Sequence, residues 1–175
     1  FEYTDLNFGG KFKDTLLDSV VLPDGHKSVI FKPLEPYETP EAIESICNEY
    51  NKAINQYNVD PLIAIPVFVH DFLFIHLFND GNERMLRLLT ELLLLRSGYL
   101  VGKYIPLEKK IQISGDDYYN ALKQSQSGWI ENRNDNTPFI KYMLSINLAY
   151  KDLEEKINML TVKSPVREIF EKAIR

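Results

Sequence analysis

The stretch His76-Leu-Phe-Asn-Asp80-Gly-Asn82-Glu-Arg84-Met-Leu-Arg87 joins two of the most apolar runs of the chain, Leu62 to Phe78 and Leu86 to Leu95. Both runs have to be buried, so the turn between them carries His, Asp, Asn, Gly and two Arg into the centre of the fold. Polar groups placed there each need a partner, and their concentration points to a site. Gly81 permits a tight turn and Asn82 is suited to begin the next helix. The N–H groups of that helix N-terminus, with Arg84 and Arg87 about one turn apart, make a ready anion site. His76 closes the preceding helix and is placed to accept a proton beside the anion. Asp80 is suited to hold a hard cation that bridges phosphate oxygens. A base, a metal carboxylate and a phosphate cradle together read as chemistry on a nucleotide.

Outward from this turn the chain is mostly helical. A capping residue followed by proline recurs at Thr39-Pro40, Asp60-Pro61, Thr137-Pro138 and Ser164-Pro165, a helix start each time. The first helix is expected over about Pro40 to Tyr57, with Ile43, Ile46, Cys47, Tyr50 and Ile54 on one stripe. The second, about Pro61 to Phe78, is apolar on nearly every side and should be central. The third runs from Asn82 to about Ser97 and stops at Gly98. Shorter helices follow over about Pro106 to Ile113 and Asp116 to Ser127. A long one covers Pro138 to about Asn158, and a last one starts at Pro165. Ser19 to Leu22 and Ser28 to Phe31 flank a Pro-Asp-Gly turn, so they predict one β-hairpin.

With 175 residues, 45% of them hydrophobic and 12% aromatic, the chain reads as one globular domain. Twenty Lys and Arg against 25 Asp and Glu give a net charge of −5, which argues against nucleic-acid binding by this fragment itself. The single cysteine, Cys47, cannot close an internal disulfide, so a reducing, cytoplasmic setting is expected. No membrane span is expected: Pro66, His70, Asp71 and His76 interrupt the longest apolar run. Phe1 is not a natural start, and both ends read as cut from a longer protein. His70, six residues before His76, is off its helical face and reads as a core histidine bonded to backbone or a nearby carboxylate. Trp129 reads as structural.

The polar turn resembles the signature of Fic-domain proteins of the bacterial type, His-Pro-Phe-x-Asp-Gly-Asn-Gly-Arg-x-x-Arg. The chain keeps every defined position but two, with Leu77 in place of Pro and Glu83 in place of Gly. Further likeness lies in Asp24-Gly25 with Val29-Ile30-Phe31-Lys32-Pro33, in Arg96-Ser-Gly-Tyr99, in Asp117-Tyr-Tyr119, and in Gly128-Trp129 with Asn134-Asp135. Lys11-Phe-Lys13 stands where the family often has an aromatic followed by Arg. The resemblance covers roughly residues 10 to 155. It implies a mainly α fold, a Fic-like helical bundle with one β-hairpin flap. Residues 1–160 would form the domain, and 161–175 would start a C-terminal extension, the first helix at most of a winged-helix segment.

The resemblance also implies a function: a protein adenylyltransferase that moves AMP from ATP to a Ser, Thr or Tyr hydroxyl of a target protein. His76 would be the catalytic base and Asp80 the Mg2+ ligand. Gly81, Asn82, Glu83, Arg84 and Arg87 would line the phosphates. Tyr118 and Tyr119 would lie near the nucleotide base, although on an amphipathic helix both also fit simple packing. Val29, Ile30 and Phe31 of the flap would take the target as an added strand. A homodimer is compatible with these features. Glu83 brings bulk and negative charge where the family has glycine, and pairing with Arg84 or Arg87 would neutralise a cation meant for phosphate. Three alternatives stay open: a degenerate domain with weak or no transfer, a de-AMPylating enzyme, and the sensor part of a transcription regulator.

Overall fold

The computed structural model describes residues 10–15, 33–99 and 107–148. A 3-10 turn at Pro36–Glu38 leads into α1, Thr39–Asn55; α2 spans Pro61–Ile75 and α3 spans Asn82–Arg96. Then come α4, Leu107–Ser114, and α5, Asp116–Ser125, and residues 137–148 form the helix called α6. The mainly helical expectation holds. The predicted hairpin, the flap residues Val29, Ile30 and Phe31, and the segment 161–175 lie outside the described residues.

The proline-led starts work by more than one device. Asp60 caps α2 as expected, its Oδ1 accepting from the Leu62 N–H at 2.8 Å. At α6 the capping carboxylate belongs instead to Asp135, which accepts from the Thr137 N–H at 2.9 Å. Thr39 is the first residue of α1 rather than its cap, and it is fully buried. Its hydroxyl donates to the Glu35 carbonyl at 3.3 Å, while the Glu38 carboxylate accepts from the Glu35 N–H.

α2 is the central element. It packs against α1 on one side and α3 on the other, and Ala64, Ile65, Pro66, Phe68, Val69, His70, Phe72, Leu73, Phe74 and Ile75 are all buried. A helix with no polar face can only sit inside a bundle. Ile43, Ile46, Cys47 and Tyr50 of α1 pack on this core, as do Phe139, Met143 and Ile146 of α6. Burial pushes the Cys47 thiol pKa up, the behaviour of a packed cysteine and not of an activated one. α3 is one-sided: Leu86, Leu93 and Leu94 are buried, while Met85, Leu88 and Leu92 are exposed. No helix among the described residues is long and apolar enough to cross a membrane.

Polar side chains tie the bundle together at few, specific points. Asp71 on α2 accepts from Trp129 Nε1 at 2.9 Å and stands 3.4 Å from His70 Nδ1. Trp129 is therefore structural, and His70 is the core histidine bonded to a carboxylate that its spacing suggested. Ser125 Oγ accepts from the Phe139 N–H at 3.1 Å across the α5–α6 connection. Glu91 of α3 accepts from the first N–H of α4, that of Leu107, at 2.9 Å. Replacing Asp71 by alanine strands the buried His70 and the Trp129 N–H together. Loss of about 1–3 kcal/mol of unfolding free energy is expected, read as a lower urea midpoint with unchanged slope.

Candidate active site

α2 stops at Ile75, three residues before its apolar run ends, because the backbone turns at His76. That residue is left-handed, φ 54° and ψ 69°, and its N–H still bonds the Phe72 carbonyl at 3.3 Å. Leu77 then goes into the core, 5% exposed, and the chain reverses to reach Gly81, also left-handed at φ 83°. Apolar character alone cannot mark this end, since Leu77 and Phe78 are as greasy as the helix before them.

The turn is closed by Asn82. Its side-chain Oδ1 accepts from the Phe78 N–H at 2.9 Å and its Nδ2 donates to the Phe78 carbonyl at 2.6 Å. Asn82 does begin α3, with Gly81 as the cap, but its side chain reaches back over the turn and is 97% hidden, being 3% exposed. Both ends of the amide are used in holding the turn shut. Asp80 is exposed; its Oδ1 accepts from the Gly81 N–H at 2.6 Å, and its Oδ2 meets Arg84 Nη2 at 3.2 Å. One helical turn on, Arg87 Nη2 meets Glu83 Oε2 at 3.2 Å. Each arginine of the signature thus lies against a carboxylate four residues earlier.

The two pairs are not equivalent. Arg84 and Asp80 keep 67% and 58% of their side-chain surface in solvent, whereas Arg87 keeps 20%. An exposed pair is screened and contributes little, so Arg84 can exchange Asp80 for a phosphate at small cost. The half-buried Arg87–Glu83 pair holds more tightly. Asp80 is a single hard carboxylate facing solvent, which suits Mg2+ bound through one protein oxygen plus phosphate oxygens. Among the described residues no group of three His, Cys, Asp or Glu gathers to form a metal cage.

His76 is held neutral. Burial, and then the Lys13 ammonium, push its pKa down to about 4 from the usual 6.5; a hydrogen bond with the Leu73 backbone and the Asp80 carboxylate pull the other way. A base has to be unprotonated to act, so this imidazole is ready throughout the neutral range. The unfolded chain takes up a proton below about pH 6.5 and the folded one only near pH 4, so the contribution of this ring to stability is complete above 6.5 and is lost as pH falls through that window. Proton-detected titration of the His76 ring should give a midpoint near pH 4; a midpoint near 6.5 would place the ring in solvent.

The tyrosine pair divides. Tyr118 is 2% exposed, with ring centroids 5.2 Å from Tyr119, 6.1 Å from Phe139 and 5.7 Å from Tyr142. Its hydroxyl finds no hydrogen-bond partner among the described residues. Burial and then the Glu83 carboxylate drive its pKa well above the usual tyrosine range. The ring is core, and it offers no open face to a nucleotide base; Tyr119 beside it is half-buried. Tyr118→Phe removes an unsatisfied buried hydroxyl, so unfolding free energy should stay level or rise by up to about 1–3 kcal/mol. A lower urea midpoint would show that the hydroxyl has a partner.

Lys13, which stands where the family often has Arg, is 3% exposed and its Nζ donates to the Ile75 carbonyl at 2.8 Å. The helical end it meets is a run of carbonyls, which attracts a cation.

The sequence profile of the Fic/DOC family matches residues 2–94. The chain belongs to the Fic/DOC family. A protein adenylyltransferase of Caenorhabditis elegans is 27% identical over 113 residues, 65% of this chain but 20% of that protein. A Fido domain-containing protein of Dictyostelium discoideum is 25% identical over 142 residues, 78% of this chain and 95% of the other. Among solved structures, a Fic domain containing signaling protein from Bacteroides thetaiotaomicron superposes with a TM-score of 0.58 at 26% identity. It is covered over 52% of its length by 81% of this chain. A Fic family protein from Desulfovibrio desulfuricans gives 0.50 at 30% identity, with 66% of this chain on 34% of the other. This Fic/DOC chain therefore spans about half, or less, of both solved relatives and of the nematode enzyme. The left-handed His76 and the Asn82-closed turn lie within the matched residues.

Proposed function

We propose that this Fic/DOC domain transfers AMP from ATP to a Ser, Thr or Tyr hydroxyl of a target protein. The observation that carries the proposal is a neutral imidazole, His76, fixed at the end of α2 directly before the Asp80-Gly81-Asn82 turn and the N-terminus of α3. In the reaction the target hydroxyl oxygen attacks the α-phosphorus, its proton passes to His76, and the bond from the α-phosphorus to the bridging oxygen breaks to release diphosphate. Arg84, Arg87 and the N–H groups at the start of α3 meet the phosphate charge; positioning and charge neutralisation are what such a transfer needs. Asp80 would hold Mg2+, which when bound supplies positive charge to the phosphate oxygens. Tyr119, half-buried beside the core ring of Tyr118, is the better placed of the pair to stack on the base.

A second reading rests on the Glu83–Arg87 pair at 3.2 Å. With its more buried arginine already neutralised, the domain would bind ATP weakly and transfer slowly. Incubation with α-labelled ATP and Mg2+ separates the two. Label on the protein or a co-purified target, absent in His76→Ala, supports transfer. No label from wild type but strong label from Glu83→Gly supports the second reading, and label from γ-labelled ATP in place of α-labelled would contradict both.

A further inference from the structure

His76 carries an uncommon backbone for a non-glycine residue, and such a conformation persists only where its surroundings over-determine it. The segment 10–15 supplies that constraint. Lys13 grips the chain on both sides of the histidine: its Nζ donates to the carbonyl of Ile75, just before, at 2.8 Å. Its backbone N–H donates to the carbonyl of Leu77, just after, at 2.8 Å. The next residues continue the grip further round the turn. Asn79 Nδ2 donates to Asp14 Oδ1 at 2.9 Å, and Thr15 Oγ1 meets Asn79 Oδ1 at 3.3 Å.

We propose that Lys13 is a positioning residue for His76, clamping the two flanking peptides so that the imidazole is presented in one orientation. The inference rests on the reading of His76 as the base. Lys13 cannot be a phosphate ligand in this arrangement, because its ammonium is buried on the Ile75 carbonyl and 3% of the residue is exposed. Its charge is supported by the carbonyl end of α2 and by Glu35 and Glu38, although burial outweighs them and brings its pKa down to about 8. The lysine is therefore a donor at neutral pH. Of its two bonds, only the one from the side chain depends on residue type, so substitution loosens one flank of His76 and leaves the other tied.

The test uses the full chain with Lys13→Met, which keeps the length and apolar stem, and Lys13→Arg, which keeps a donor. A displacement of about 1 Å at a catalytic group costs on the order of 10²-fold. Lys13→Met should lower kcat by roughly 10- to 100-fold with KM for ATP changed little, and Lys13→Arg should recover most of the loss. Unchanged kcat in Lys13→Met, or a raised KM with kcat intact, overturns the proposal. Proton–carbon spectra of the imidazole rings provide a readout that needs no turnover. The His76 ring signals should move in Lys13→Met and return in Lys13→Arg, while those of His70, buried and held by Asp71, stay in place. If the wild type transfers no label, the proposed function fails and the spectra still decide the role of Lys13: unmoved His76 signals overturn it.

Discussion

Replacing His76 by alanine is expected to lower AMP transfer by about 10²- to 10⁴-fold, the range contributed by a positioned general base. Binding of ATP with Mg2+ should change little, because in the proposed reaction the phosphates would be met by Arg84, Arg87, Asp80 through the metal, and the start of α3. The separation follows from the fold. His76 belongs to the end of α2, whereas the groups proposed to meet the phosphates belong to α3 and to the turn that Asn82 closes. The bonds that close that turn run between Asn82 and Phe78, so it should survive removal of the imidazole. Single-turnover transfer and calorimetric titration of the same variant provide the check. Full transfer in His76→Ala would remove the base from the account, and a collapse of ATP binding would make the ring structural.

Replacing Glu83 by glycine should act in the opposite direction and nearly as strongly. A unit charge about 4 Å from a phosphate, at an effective dielectric near 20, contributes roughly 4 kcal/mol, and even a heavily screened remainder amounts to tenfold or more in affinity. Glycine also releases Arg87 from its pair at 3.2 Å. The expected result is tighter ATP binding by about tenfold or more, with faster transfer. Stability should fall by about 1 kcal/mol, the ordinary effect of glycine within a helix. Glu83→Gln keeps the bulk and removes the charge, so a gain shared by both variants assigns the effect to charge. A gain in glycine alone assigns it to space at the helix start, and no gain in either means that Glu83 already points away from the phosphates.

Much of this was legible in the sequence, and what escaped did so for physical reasons. α1, α2 and α6 announced themselves through Pro in their first turn, and α2 through an apolar surface on all sides that leaves it no place but the centre. The polar turn stood out because its composition contradicts its neighbours. The end of α2 was hidden, since Leu77 and Phe78 continue the apolar run while His76 has already left the helix. Asn82 suggested a helix start and possessed one, but the use of both amide ends on Phe78 needs the folded turn to be seen. The burial of Tyr118 was readable: Tyr118, Ala121, Leu122 and Ser125 are one helical stripe, and all are buried, with Tyr119 one position off it. Lys13 was marked only by its family-like position, and its burial could not be read, because its acceptor, the Ile75 carbonyl, is a backbone group 62 residues away.

The claim on which the account depends is that the imidazole of His76 stands, unprotonated, against a nucleotide seated on the N-terminus of α3. A crystal structure with Mg2+ and a non-hydrolysable ATP analogue tests it most directly. Phosphates should lie on Arg84 and the first N–H groups of α3, metal on Asp80, and a ring nitrogen of His76 on the side of the α-phosphorus away from the leaving diphosphate. Phosphates bound elsewhere, or a nucleotide whose α-phosphorus lies out of reach of His76, would contradict it.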